Sequence, residues 1–226
     1  MRMLIQFKKD DIVRHLGLLD LQRTMQRALR RSGLPVRYSN GFNPHMVMSF
    51  ASALSSGIPG DAELLDVSLC EETTEEACLA AMNRVLPPSL SVSRVRIVED
   101  TFPKVGAALR QAQYRVVLRG ENGLAMADRL DDFLAQEEIM ALRKSKKAET
   151  MVNIRPMIHE LTICSKAEKE VVLNARVSFV EAATLKPELL LQAWSAFAGV
   201  EVPEHAIRRT ALLGVSDGQV VPLIDM

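Results

Sequence analysis

Apolar residues change their spacing along this chain in a fixed order, period two, then helical period, then period two twice, then helical again, then period two. Residues 3–7 alternate as a strand does, and residues 18–32 follow with Leu18, Leu21, Met25, Ala28 and Leu29 at three- and four-residue steps. That stripe is one face of a helix. Gly17 precedes it in the N-cap position, and Gly33 followed by Pro35 closes it. Strand-like runs come next at 36–38, 47–53 and 64–69, then a helix at 74–85 capped by Thr73 or Thr74, then an alternating strand at 90–98. Strand, helix, strand, strand, helix, strand is the ferredoxin-like order.

The stretch 101–109, with Pro103 and Gly106, interrupts the pattern, after which a similar order resumes. Strands are expected at 112–118, 139–142, 157–164, 171–179 and 206–213, with helices at 124–134 and 186–197. The reading is an α+β protein of two tandem ferredoxin-like (βαββαβ) units, residues 1–100 and 110–226. No residue-level repeat joins the halves, so the duplication is one of element order.

Charge sums to zero but is unevenly placed. Residues 1–50 carry nine Arg or Lys against three Asp or Glu, and residues 51–100 carry three against nine. The first block is either a face for an anionic partner or a complement to the acidic block beside it. Basic clusters recur at Arg23, Arg27, Arg30 and Arg31, at Arg143, Lys144, Lys146 and Lys147, and at Arg208 and Arg209. They would track a phosphate backbone, or form solvated faces. With aromatics at 4%, base-stacking platforms are scarce.

The N-terminal apolar run is shorter than a signal-peptide core, and no stretch has the roughly 20 apolar residues of a membrane span, so a cytoplasmic chain without membrane contact is expected. Cys70, Cys78 and Cys164 have no paired spacing and are read as packing residues. His15, His45, His159 and His205 are far apart, so no metal site is assigned, and no cofactor signature is present: neither a phosphate-binding GxxxxGK loop nor GxGxxG, HExxH or GxSxG occurs. The chain is expected not to be a self-contained enzyme.

Residues 38–50, YSNGFNPHMVMSF, place two turn signals, Asn40-Gly41 and Asn43-Pro44, within five residues. A plain hairpin needs one. Either the loop presents Phe42 and His45 rigidly to a ligand, or it is an irregular crossover whose Phe42 packs on the core.

The run LDLQRTMQRALRRSGLPVRYSNGFNPHMVMSFASAL followed by AELLDVSL resembles the radical-SAM-linked protein family, a domain of unknown function. Ser39, Asn40, Gly41, Phe42, Asn43, Pro44, His45, Ser49 and Phe50 carry the likeness, with Asp20 and Arg23 upstream, Glu63 and Asp66 downstream, and Arg155 with Pro156 in the second half. Leu18 stands where members have a His, Leu64 where they have a Tyr, Ala53 where Pro is common and Asn153 where Asp is typical. The resemblance implies an accessory or substrate-recognition module partnered with a radical S-adenosylmethionine enzyme, in RNA- or ribosome-related modification. An independent RNA-binding protein is the alternative. The iron–sulfur cluster of such chemistry needs closely spaced cysteines that this chain lacks, so the cofactor would be the partner's.

Overall fold

The computed structural model describes residues 1–144, 149–180 and 183–226. The chain divides into two compact units, Met1–Leu109 with Arg209–Met226, and Arg110–Arg208. Both mix helices with antiparallel strands, an α+β protein as expected.

In the first unit β1 (Arg2–Lys9) is central, with a hydrogen-bonded strand on each side and most of its residues buried. Met3, Ile5 and Phe7 face one layer of core, while Arg2 and Leu4 are buried on the other side. Helix α1 (Leu18–Ser32) lays Leu21, Met25, Ala28 and Leu29 on the first face and ends on Gly33 at φ +76°, a conformation that glycine adopts without steric cost. Leu18, expected on the same stripe, is 39% exposed at the helix start. Strands β2 (Met48–Phe50) and β3 (Gly60–Ser68) follow, then α2 (Glu75–Val85) and β4 (Val92–Val98). Thr74 is the cap of α2, its hydroxyl accepting from Ala77 N–H at 3.2 Å. The sheet runs β4-β1-β3-β2, antiparallel throughout.

Three readings shift here. Residues 36–38 make only isolated bridges, at Val36 and Tyr38, and the next strand is just the three residues of β2, because the loop between them bonds to itself. The stretch 101–109 belongs to the first unit, where a short helix, α3 (Val105–Ala108), buries Val105 and Ala108. Arg2 secures this stretch by donating to the carbonyls of Phe102 (2.7 Å) and Pro103 (2.9 Å). Cys78 is buried, but Cys70, just past β3, is exposed.

The second unit opens with β5 (Gln111–Arg119). The helix expected at 124–134 is two, α4 (Gly120–Asp128) and α5 (Leu130–Leu134), divided where Arg129 leaves helical dihedrals. Strand β6 (Met140–Lys144) pairs with β7 (Glu149–Asn153), a strand its polar sequence concealed, in a separate two-stranded sheet. Then β8 (Ile158–Lys166) and β9 (Glu170–Ser178) form the sheet β5-β9-β8. Helix α6 (Pro187–Ala198) stacks Trp194 against Phe133, ring centroids 6.0 Å apart. Cys164, on β8, is exposed rather than packed. The chain re-enters the first unit within β10 (His205–Ser216), which pairs with β11 (Gln219–Pro222) and meets β3 in parallel at Arg209 and Gly60.

Candidate binding loop and its buried supports

The 38–50 loop is rooted on β3. Arg37 N–H donates to Ser68 C=O (2.8 Å), Val47 N–H to Arg37 C=O (3.0 Å) and Ser68 N–H to Val47 C=O (2.9 Å). Met46 is buried in the core and pins the loop's returning arm. Above this base Ser39 and His45 close the neck: Ser39 N–H donates to His45 C=O at 2.8 Å, His45 N–H donates to Ser39 Oγ at 3.1 Å, and Ser39 Oγ lies 2.8 Å from His45 Nδ1.

What the neck holds out is Asn40, Gly41, Phe42, Asn43 and Pro44, all exposed. Gly41 has φ +123°, a backbone state that side-chain-bearing residues rarely adopt. Phe42 is wholly exposed, and so does not pack on the core. Burying such a ring is worth roughly 1.5–3 kcal/mol, a gain this loop leaves unused in the isolated chain. Of the loop's last residues, Ser49 is exposed and Phe50 turns inward, edge-on to Phe7 at 6.0 Å.

Beneath the loop, β3 carries two buried carboxylates, Asp66 and Glu63, on opposite faces of the sheet. Asp66 Oδ1 is 3.2 Å from Arg2 Nε, both side chains almost fully buried. Burial raises the Asp66 carboxyl above the usual carboxylate range, with Arg2 and then Lys104 opposing the shift. Glu63 accepts a two-pronged bond from Arg209, with Nε to Oε1 at 2.8 Å and Nη2 on Oε2. Gly60 makes room for that pair, since a Cβ there would stand 2.5 Å from Glu63 Oε1. Lys9 is buried nearby and donates to Arg14 C=O at 2.9 Å. Its ammonium is pushed below the usual lysine value by burial, which the Glu63 charge opposes and the Arg209 charge reinforces.

Asp20 and Arg23 lie apart from this arrangement. Asp20 occupies the third position of α1, beside the positive end of the helix dipole, and pairs with Arg23 at 3.3 Å. Among the described residues no hydrogen bond or ion pair links either of them to the loop. Arg155, in the second unit, donates from Nε to Leu134 C=O at 3.0 Å, while Asn153 Oδ1 accepts from the N–H groups of Ile139 and Arg155. That segment fastens a turn.

Arg2, Lys9 and Arg209 were missed as site supports. A cation inside an apolar strand run was the available signal at Arg2 and Lys9. Arg209 is buried against Glu63, so it is not part of a basic surface, and Arg143 turns inward to Thr184 C=O at 3.0 Å. Lys146 and Lys147 lie outside the described residues. On α1, by contrast, Arg23, Arg27, Arg30 and Arg31 are all exposed.

Among the described residues no three His, Cys, Asp or Glu are grouped to hold a metal ion, and no helix is long and apolar enough to cross a membrane. Fold and site therefore define an α+β protein that displays a locked, aromatic-tipped loop above buried ion pairs. The chain belongs to the family described as "Uncharacterized protein conserved in bacteria (DUF2344)", which matches residues 2–187. No curated protein matches its sequence. Among solved structures, the fold is similar to a chain of "Crystal Structure of a Cbf5-Nop10-Gar1 Complex", with TM-score 0.53 and 12% identity over 93% of this chain. A chain of "Structure of H/ACA RNP bound to a substrate RNA containing 2'-deoxyuridine" matches with TM-score 0.51 and 11% identity, also over 93%. This chain spans about half of each, 48% and 47% of their lengths.

Proposed function

We propose that this protein is a substrate-recognition module for RNA, working beside a radical S-adenosylmethionine enzyme that supplies the chemistry. One observation carries the RNA part: Phe42 stands fully exposed on a loop whose neck is fixed by the Ser39 and His45 bonds. An unburied ring on a preorganised tip is suited to stacking on an unpaired base, an interaction worth about 1–3 kcal/mol per base. Asn40 and Asn43, exposed on the same tip, carry amides able to bond base edges. The fold likeness to a chain of a ribonucleoprotein described with substrate RNA supports the same reading by analogy.

The enzyme partnership rests on the motif residues of the 38–50 loop and on the lack of closely spaced cysteines. In this reading both units are ferredoxin-like, supported in the first by the strand order β4-β1-β3-β2, and the protein acts in the cytoplasm. Ser39 to His45, Ser49 and Phe50 form the contact segment, with Asp20 and Arg23 a second contact and Arg155 a positioning residue. Glu63 and Asp66 act through Arg209 and Arg2 to fix the strand beneath.

Titration of the full chain with a fluorescent single-stranded RNA at several salt concentrations tests the RNA reading, because phosphate contacts make affinity fall steeply with salt. A flat salt response, or no binding, removes it. Capture from a native lysate tests the partnership: recovery of a cluster-bearing enzyme supports it, and RNA recovered with no such enzyme points to an independent RNA-binding protein.

A further inference from the structure

Helices α1 and α2 enclose a surface groove of about 290 Å³ that none of the motif residues touches. Its floor is apolar, made largely by Val85, Leu86 and Pro87, and its rim carries Arg27, Arg30 and Arg31. All three guanidiniums are exposed. Among the described residues none of them meets a carboxylate; the one bond they make is from Arg27 to Thr24 Oγ1 at 3.3 Å. Several other surface arginines do meet a carboxylate, as Arg23 does with Asp20, Arg94 with Asp225 and Arg119 with Glu204.

Arg30 and Arg31 sit in the last turn of α1, where a cation favours the helix dipole. That accounts for neither Arg27, a turn earlier, nor an open apolar floor between the arginines. Three unpaired charges around such a floor complement a ligand with a flat apolar group flanked by anions. We propose that this groove binds one nucleotide of single-stranded RNA, the base lying on the Leu86–Pro87 floor and the flanking phosphates held by the arginines.

Size and geometry favour that occupant. At about 290 Å³ the groove lies at the small end of ligand sites, room for one unit of a polymer rather than a stretch of it. Residues three and four apart on a helix are about 5–6 Å apart, so Arg27 reaches one phosphate while Arg30 and Arg31 reach its neighbour. Guanidinium forks bind phosphate oxygens in pairs and stack on base faces, which ammonium groups do not. The inference rests on the RNA reading above for its ligand class, while the groove shares no residue with the 38–50 loop.

The test uses the full chain and a short fluorescein-labelled oligouridylate, read by anisotropy across a salt series. Arg27→Ala with Arg31→Ala should weaken binding by roughly tenfold per arginine and make the log–log salt slope shallower by roughly 0.7 for each. Both positions are exposed, so the thermal midpoint should hold. Arg27→Lys with Arg31→Lys should keep the salt slope and still lose affinity. Unchanged affinity and slope in the alanine variant would overturn the proposal. So would binding of an oligoglutamate peptide, lost in that variant, by a protein that ignores oligouridylate; the groove would then belong to an acidic protein partner. Phe42→Ala separates the two readings: binding lost there but kept in the arginine variant sinks the groove alone, and the reverse sinks the loop alone.

Discussion

Ser39 and His45 hold each other across the neck of the loop through three contacts of 2.8 to 3.1 Å, two of them involving backbone N–H groups. The serine hydroxyl accepts from one histidine nitrogen while facing another. The tip is therefore preorganised, and the cost of ordering it is met within the fold rather than at binding.

Phe42→Ala should leave stability within about 0.5 kcal/mol of the parent, because the ring makes no core contact. RNA affinity should nonetheless fall by about 1–3 kcal/mol. Ser39→Ala should weaken binding less and raise amide exchange at residues 40–44. Chemical denaturation beside anisotropy titration separates the two effects, and a large stability loss in Phe42→Ala would contradict the exposed ring.

Removing one member of the Glu63 and Arg209 pair should be costly. Glu63→Leu or Arg209→Met removes one partner of a buried ion pair, an expected loss of about 3–5 kcal/mol. The double variant should recover part of that loss, since both desolvation penalties go together while Lys9 stays buried without the Glu63 charge. A double variant no better than the singles would show that the pair is not an isolated unit. Gly60→Ala should also destabilise the first unit, the added methyl meeting Glu63 Oε1.

Lys9 predicts a pH dependence. Its folded value lies below 10.5, so in the window between the two values the unfolded state binds more protons and stability rises with pH there. Below the folded value the burial penalty is fully expressed. Lys9→Met should flatten the alkaline side of the stability profile measured by urea denaturation. A slope unchanged by the substitution would mean that another group sets it.

Thr74→Ala removes the hydroxyl that accepts from Ala77 N–H and should cost about 1 kcal/mol. Thr74→Ser should cost little. Thr73→Ala should leave the cap intact, which distinguishes the two threonines that are adjacent in sequence.

The sequence by itself determined the features that depend on near neighbours. The α1 stripe of Leu21, Met25, Ala28 and Leu29 follows from helical spacing, Gly33 from the need for positive φ, and the 38–50 loop from two adjacent turn signals. Tertiary structure decided everything that joins distant positions. Glu63 meets Arg209 across 146 residues, and Arg2 at the start of β1 meets Asp66 on the neighbouring β3, pairings that no local pattern encodes. The β7 strand was hidden because Glu149–Asn153 lacks alternation and is fixed by its partner β6. Phe42 shows the division best. A phenylalanine in a turn-rich loop packs inward or stands outward according to what the surrounding fold offers it, and here Met46 enters the core while the Phe42 ring remains in water.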